Sequence, residues 1–416
     1  MVAALLVLAL ALRLGAAGAT WNLPLRSDPS DYDRHARSIA DGHGYPRTRV
    51  APGGGPTAVR PPAFPYFLGG VYALTGDGAH AGRVAEALLG TLVVALGGLV
   101  AWQVAGAPAG IATLGVTAVY PPLIVNGASL LSEPLFVVLE LAALACALRW
   151  RAGPRWSLIA ATGALTGFAV LTRSEQGAVL LLPLALLLLR PGTSWRRYLG
   201  RVSILVAAAV LVVAPWTIRN AIVMHAFVPV ADQAGTLAGT YNATSQHDRR
   251  FPWAWREATI DPTDARIAAR GRPKEVEFDR RFVDAAFRFI RRHPLSVLEA
   301  GGHNLLRLLH LDGFSYGVAS IHGETGIGSG VAKASIVSFW VFLALAVAGA
   351  FTAAARRVPL AMWLVPIVLA TPVFILSGTR LRAPVDPFIA TLAGFAIIAA
   401  IRRSPWSGYL DAWSTR

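Results

Sequence analysis

An all-α polytopic membrane protein of about ten spans is what this sequence predicts, on three observations. Of its 416 residues 55% are hydrophobic and only 15% are charged, against about 25% charged in soluble domains. The apolar residues lie in long runs almost free of charge, and mean hydropathy reaches +0.52. The basic excess, a net charge of +15, gathers in short loops between those runs. Together these exclude a soluble enzyme, a disordered chain and a disulfide scaffold. The single cysteine, Cys146, lies in an apolar run and excludes cysteine-based metal clusters.

A helix crosses the hydrocarbon core in about 20 predominantly apolar residues. The runs 2–19, 82–104, 109–127, 133–149, 157–172, 177–190, 202–219, 335–355, 358–377 and 387–401 meet that description, the fifth and sixth being short. Residues 64–75 are apolar but too short, and Pro62, Pro65 and Gly76 bound them as a helix lying in the interface. The first run ends in Gly-Ala-Ala-Gly-Ala, as a signal peptide does. It lacks a basic leader and contains Arg13, so it reads as a retained span. Arg13, read as the one charge well inside an apolar run, is expected to face the bundle interior, because a charge facing lipid is expensive.

The segments between the runs set orientation. Arg149, Arg151 and Arg155 fill one short loop, and Arg190, Arg196, Arg197 and Arg201 another, neither with an acid. Arg356 and Arg357 separate two later runs, and Arg402 and Arg403 open the tail that ends with Asp411 and Arg416. With ten spans all four segments share one side, which the positive-inside rule makes cytoplasmic. Those bases need no nucleic acid partner.

The long segments 19–81 and 220–334 then lie outside. Asp28 followed by Pro29 reads as an N-cap with proline in the first helical position, opening a helix that Gly42 and Gly44 end. A glycine-rich stretch from Pro46 to Pro56 follows. In 277–292, Phe278, Phe282, Ala285, Ala286 and Phe289 form one stripe with arginines around it, which predicts an amphipathic helix on the membrane surface. Asn242-Ala-Thr244 fits a glycosylation acceptor, a pattern that arises often by chance, and the histidines show no ligand spacing. The expected division is 1–222, 223–334 and 335–416.

This topology brings polar residues to one face. Asp28, Asp31 and Asp33 follow the first span, and Arg60 precedes the interfacial helix. Glu133 opens the fourth span, Arg173 and Glu175 sit in the next outer turn, and Arg219 and Asn220 end the seventh span. Arg380, Arg382 and Asp386 fill the last outer turn. Acids can deprotonate a hydroxyl or hold a divalent cation. Arginines can grip a phosphate and stabilise the charge it gains on leaving.

At these residues the chain resembles the C-type (GT-C) membrane glycosyltransferases, which include protein O-mannosyltransferases and lipid A aminoarabinose transferases. The resemblance rests on Asp28-Pro-Ser-Asp31-Tyr32-Asp33…Ala36…Gly42-His-Gly44-Tyr45, Arg60-Pro61-Pro62, Leu131-Ser132-Glu133-Pro134-Leu135 and Leu171-Thr172-Arg173. Ala214-Pro215-Trp216…Arg219-Asn220 and Arg380-Leu-Arg382-Ala-Pro384…Pro387 also fit. It covers most of 1–222 in order and the last outer turn.

The resemblance implies the GT-C fold and transfer of a sugar from a polyprenyl-phosphate donor to an acceptor hydroxyl. The acceptor would be a glycan, a glycolipid or a protein, met at the outer face of the plasma membrane. Asp28 matches the catalytic base and Glu133 the second acid. Arg60 and Arg173 match residues that reach the donor phosphate; Arg219, Arg380 and Arg382 join them as candidates, with Asp31, Tyr32 and Asn220 in support. Val59 stands where several relatives carry an acid that helps hold a metal. Asp28 and Glu133 are the ligands expected for any divalent cation, Mg or Mn. Against this reading stand a secondary transporter or lipid flippase, which would place charged sites near the midplane in repeated halves, and a noncatalytic scaffold.

Overall fold

The computed structural model describes residues 1–255, 260–376 and 378–404, so Asp411 and Arg416 lie outside the described residues. Among the described residues the structure is helical apart from turns, loops and one isolated bridge, Arg47 to Pro56. In chain order come α1 (Val2–Ala19), α2 (Ser27–Ala40), α3 (Ala63–Thr75), α4 (Ala79–Ala105) and α5 (Ala107–Val119). Then follow α6 (Pro121–Asn126), α7 (Glu133–Ala152), α8 (Trp156–Thr172), α9 (Ser174–Leu187) and α10 (Trp195–Met224). Short helices α11 (Leu237–Thr240), α12 (Ala243–Gln246) and α13 (Pro262–Ala269) lead to α14 (Glu275–Arg292), α15 (Ser296–Leu308) and α16 (Phe314–Thr325). The chain closes with α17 (Ser329–Ala350), α18 (Ala353–Arg357), α19 (Leu360–Leu369) and α20 (Asp386–Arg402).

A helix or broken helix stands at each of the ten expected spans. Four of them, α1, α4, α10 and α17, are long and apolar enough to cross a membrane by length and composition. Three expected spans are broken: 335–355 divides between α17 and α18, where Thr352 caps the new helix by accepting from the Ala355 N–H, and proline explains the other two. The run 109–127 divides at Tyr120, whose ψ of 104° is the extended conformation forced on a residue before Pro121. The run 358–377 ends as α-helix at Leu369 and continues as a 3-10 turn over Thr371–Phe374, with Pro366 and Pro372 removing ladder donors.

Arg13 does turn inward. Its guanidinium donates to the carbonyls of Ala9 (3.1 Å), Ala118 (3.1 Å) and Thr117 (3.2 Å), the last two in the final turn of α5, where carbonyls lack intrahelical donors. Gly90 of α4 leaves the room, since a Cβ there would stand 2.7 Å from the Arg13 Nε. Arg13 is not the one charge inside an apolar run, however. Glu86 of α4 and Glu140 of α7 are fully buried, and none of their carboxyl oxygens has a hydrogen-bond partner.

Helices approach closely where side chains are smallest, the usual device where lipid offers no hydrophobic drive to association. Gly163 and Gly167 of α8 lie against α10, where added Cβ atoms would stand 2.2 Å and 2.7 Å from the carbonyls of Leu205 and Ala209. The main core, with Tyr120, Phe136, Leu141, Leu184, Phe339 and Phe395, joins α4, α7, α9, α17, α19 and α20. At one end of the bundle the basic loops meet: Arg151 donates to Leu187 (2.8 Å), Arg201 donates to Leu188 (3.0 Å), and Arg190 and Arg201 flank Trp150.

The stripe of α14 does not face a membrane. Ala285 and Ala286 are buried, and Phe282 and Phe289 pack with Ala238, Tyr241, Trp253 and Ala300 of neighbouring segments. A covered stripe and a membrane-facing stripe have the same periodicity, so the pattern alone could not choose between them. The helix-packing glycines give a direct test. Gly163→Ala should destabilise the purified protein by about 1–3 kcal/mol through overpacking. Gly70→Ala, which meets nothing within 4 Å, should be neutral or stabilising by up to about 1 kcal/mol. Thermal unfolding of both variants checks this; equal melting temperatures would refute the close α8–α10 contact.

Candidate active site

The opposite end of the bundle gathers the acids. Helix α2 begins at Ser27, whose φ of +49° turns the chain, two residues before the expected start at Pro29. Asp28 is therefore not the N-cap. It lies in the first turn with its side chain free of capping, where the helix dipole favours an acid. Asp28, Asp31, Tyr32 and His35 share a face by the i, i+3, i+4 spacing.

Arg60 closes on that face. Its Nη2 donates to Asp28 Oδ1 (2.5 Å) and its Nε to Asp31 Oδ2 (2.8 Å), and the guanidinium lies 5.0 Å from the Tyr32 ring centre. The segment carrying Arg60 is held on every side. Tyr45 donates its hydroxyl to the Arg60 carbonyl (2.6 Å), and Thr57 and Ala58 both donate to Glu275 (2.7 Å each). Arg219 donates to the Thr57 carbonyl (2.9 Å) while stacked over Trp216 and Tyr45.

The second oxygen of Asp28 accepts from Arg380, which lies in the 3-10 turn Thr379–Arg382. Arg380 also lies 3.7 Å from Glu133 and 3.4 Å from Glu324. Glu133 opens α7, is fully buried, and accepts from Arg173 Nη1 at 2.7 Å; its other oxygen has no partner. Arg173 sits in the extended residue between α8 and α9 and reaches Ser132 (3.3 Å) and Gln176 (2.6 Å) as well. Tyr32 donates its hydroxyl to the same Ser132 (3.3 Å).

Burial pushes the Asp28 carboxyl up, but Arg380 and Arg60 outweigh it and hold the group well below the usual carboxylate range. Asp31 is lowered in the same way, with Arg60 and His35 overcoming burial. Glu324 goes the other way: burial raises it and Arg380 offsets only part.

Six of the residues expected from sequence thus share one cluster: Asp28, Asp31, Tyr32, Arg60, Glu133 and Arg173. Arg380 is the seventh and its centre. The other three candidates are occupied elsewhere. Arg219 and Asn220 do not end a helix, because α10 runs on to Met224 and stops at His225, a left-handed residue with φ of +52°. Asn220 donates to the carbonyls of Val228 (3.0 Å) and Val230 (3.2 Å). Arg382 is buried over the Phe339 ring, bound to Asp386 (2.8 Å) and the Leu308 carbonyl (2.6 Å). Glu324 is the member that sequence reading missed. It stands in the 115-residue segment 220–334 with no spacing or neighbour to mark it.

Asp28 and Glu133 do not fit as the core of a cation site. Both Asp28 oxygens and one Glu133 oxygen face arginines, and three guanidiniums surround the pair. Among the described residues no group of three or more His, Cys, Asp or Glu is arranged to hold a metal. No step is assigned to a metal here.

Two comparisons bear on this arrangement. Residues 59–218 match the family model described as dolichyl-phosphate-mannose-protein mannosyltransferase. The chain is also similar in structure to the oligosaccharyltransferase of Archaeoglobus fulgidus in its apo form, with a TM-score of 0.57 at 12% identity over 99% of this chain and 52% of that one. The chain has the C-type glycosyltransferase fold. The same archaeal enzyme, in a crystal structure with zinc and sulfate, gives a TM-score of 0.54 at 13% identity over 99% and 50%. This GT-C chain therefore spans about half the length of the archaeal enzyme. ArnT from Cupriavidus metallidurans, crystallised with undecaprenyl phosphate, is 17% identical over 95% of this chain and 79% of its own, but its TM-score of 0.44 is below the level of a shared fold. No curated protein matches the chain.

The pairing of Asp28 has a measurable signature. A carboxyl held below its unfolded value, near 3.9, contributes stability that is present above that value and lost as pH falls through the folded one. The melting-temperature gap between the protein and Asp28→Asn should be flat from about pH 9 to about pH 5 and shrink below about pH 4. A gap that widens in acid would refute the double arginine pairing.

Proposed function

We propose that this chain transfers a sugar from a polyprenyl-phosphate donor to an acceptor hydroxyl, at the extracytoplasmic face of the plasma membrane. The observation that carries it is the Asp28 carboxylate held between Arg60 and Arg380 beside the Glu133–Arg173 pair. The match of residues 59–218 to a family named for a lipid-phosphate sugar donor supports it. The orientation follows from the basic loops at the other end of the bundle.

The acceptor oxygen attacks the anomeric carbon, the bond from that carbon to the phosphate oxygen breaks, and the acceptor proton passes to Asp28. The polyprenyl phosphate leaves with the electron pair and one more negative charge. Arg60, Arg380 and Arg173 meet that charge, as guanidiniums pair phosphate oxygens in two-pronged fashion. A single displacement inverts the anomeric configuration. With both oxygens paired to arginines Asp28 is a weak base, whereas efficient proton transfer wants a pKa nearer the working pH. Arrival of the donor phosphate draws the guanidiniums from Asp28 and raises its basicity. Glu133 holds Arg173 in place and orients Arg380. The transporter reading would rest on Glu140, but that acid forms no ion pair and stands apart from the cluster.

Mass spectrometry of glycolipids and glycans from cells lacking this chain identifies the sugar transferred. Asp28→Asn should fail to restore it while keeping affinity for bare polyprenyl phosphate; full restoration would refute Asp28 as base. Arg60→Ala and Arg380→Ala should each weaken bare polyprenyl phosphate binding at least tenfold, and unchanged affinity in both would refute the phosphate site.

A further inference from the structure

Beside Arg380 the structure opens a cleft. It is walled by α6 and the loop that follows it, by His310 after α15, by α16, by Ser335 of α17 and by the last outer turn. Two polar atoms on its lining residues have no hydrogen-bond partner: Asn126 Nδ2 and His310 Nδ1. Asn126 is 9% exposed and His310 3% exposed. Buried polar atoms without partners are uncommon and each asks for an explanation. Ser320 adds a hydroxyl, and Val125 and Ile321 add apolar surface.

The charges of the cleft cancel. Arg380 faces Glu324 at 3.4 Å, and Arg382 faces Asp386 at 2.8 Å. His310 is held neutral at ordinary pH, its pKa lowered to about 3 by burial and by Arg382. A balanced lining with free donors and acceptors and a partly apolar wall fits a neutral polyhydroxylated ring, whose hydroxyls bond the polar atoms while its C–H face meets the apolar ones. An anionic or cationic ring would leave an uncompensated charge out of water.

We propose that this cleft binds a neutral sugar ring, with His310, Ser320 and Asn126 reading its hydroxyls. The inference rests on the proposed transfer reaction and adds which part of the chain selects the sugar. His310 and Ser320 lie outside residues 59–218, while Asn126 lies within them. A ring there could belong to the donor or to the acceptor, and the test separates them.

The full chain in lipid nanodiscs is titrated with bare polyprenyl phosphate and with the same lipid carrying mannose, glucose, galactose, arabinose or glucuronic acid. A second arm uses the free methyl glycosides of the same sugars. At least one neutral sugar should bind about tenfold or more tighter than the bare lipid, or as a glycoside if the ring is the acceptor's. Ser320→Leu, which fills the cleft, and His310→Ala should each remove that gain. Both variants should leave bare-lipid affinity within twofold, which also shows that they fold; Ser320→Ala, with a smaller loss of the gain, covers a failure of either. No gain from any neutral sugar in either arm, a gain that survives the variants, or a preference for glucuronic acid would overturn the proposal. If the bare lipid fails to bind the unaltered protein, the phosphate reading falls instead, and the glycoside arm still decides the cleft.

Discussion

Everything at the acid-bearing end of this protein depends on one constraint: a carboxylate withdrawn from water must find its counter-charge inside the structure. Asp28 finds two, Arg60 and Arg380. Those three residues come from α2, a loop 32 residues later and a turn 352 residues later. Their pairing therefore closes the bundle at that end. Glu275, Tyr45 and Arg219 serve the same closure, since each binds the backbone segment from which Arg60 extends.

The arginines divide into two kinds, and local chemistry separates them. Arg219 and Arg382 lie over aromatic rings and donate to backbone carbonyls, so their charges are spent on holding the chain. Arg60, Arg173 and Arg380 pair with the carboxylates of the Asp28–Glu133 cluster, whereas Arg382 keeps only its near neighbour Asp386. A carboxylate partner can be exchanged for a phosphate of like charge; a carbonyl partner inside a turn cannot without unmaking the turn. Arg380 is the hinge of the arrangement, because it reaches Asp28, Glu133 and Glu324 together.

Much of this was legible beforehand. Apolar runs placed a helix at every expected span, and loop parity brought Asp28, Arg60, Glu133, Arg173 and Arg380 to one end, because a chain crossing a slab must alternate sides. The breaks at Tyr120 and Leu369 were also local, written in Pro121, Pro366 and Pro372. Glu140 could have been read as well, a carboxylate eight residues into an apolar helix.

What sequence determined by itself was whatever follows from one residue and its near neighbours: the all-helical class, the helix positions and the end of the bundle where acids collect. Tertiary structure alone decided which partner each charge took. An arginine near a span end reads the same whether it grips Asp28, as Arg380 does, or braces Leu308, as Arg382 does. The stripe of α14 reads the same against lipid or against Trp253. Glu324 reads as one more acid in a polar segment until α16 folds against the last turn and sets it 3.4 Å from Arg380. The physical reason is range: hydrophobic periodicity acts over a turn or two of helix, while ion pairing joins whatever the packed fold brings within a few ångströms.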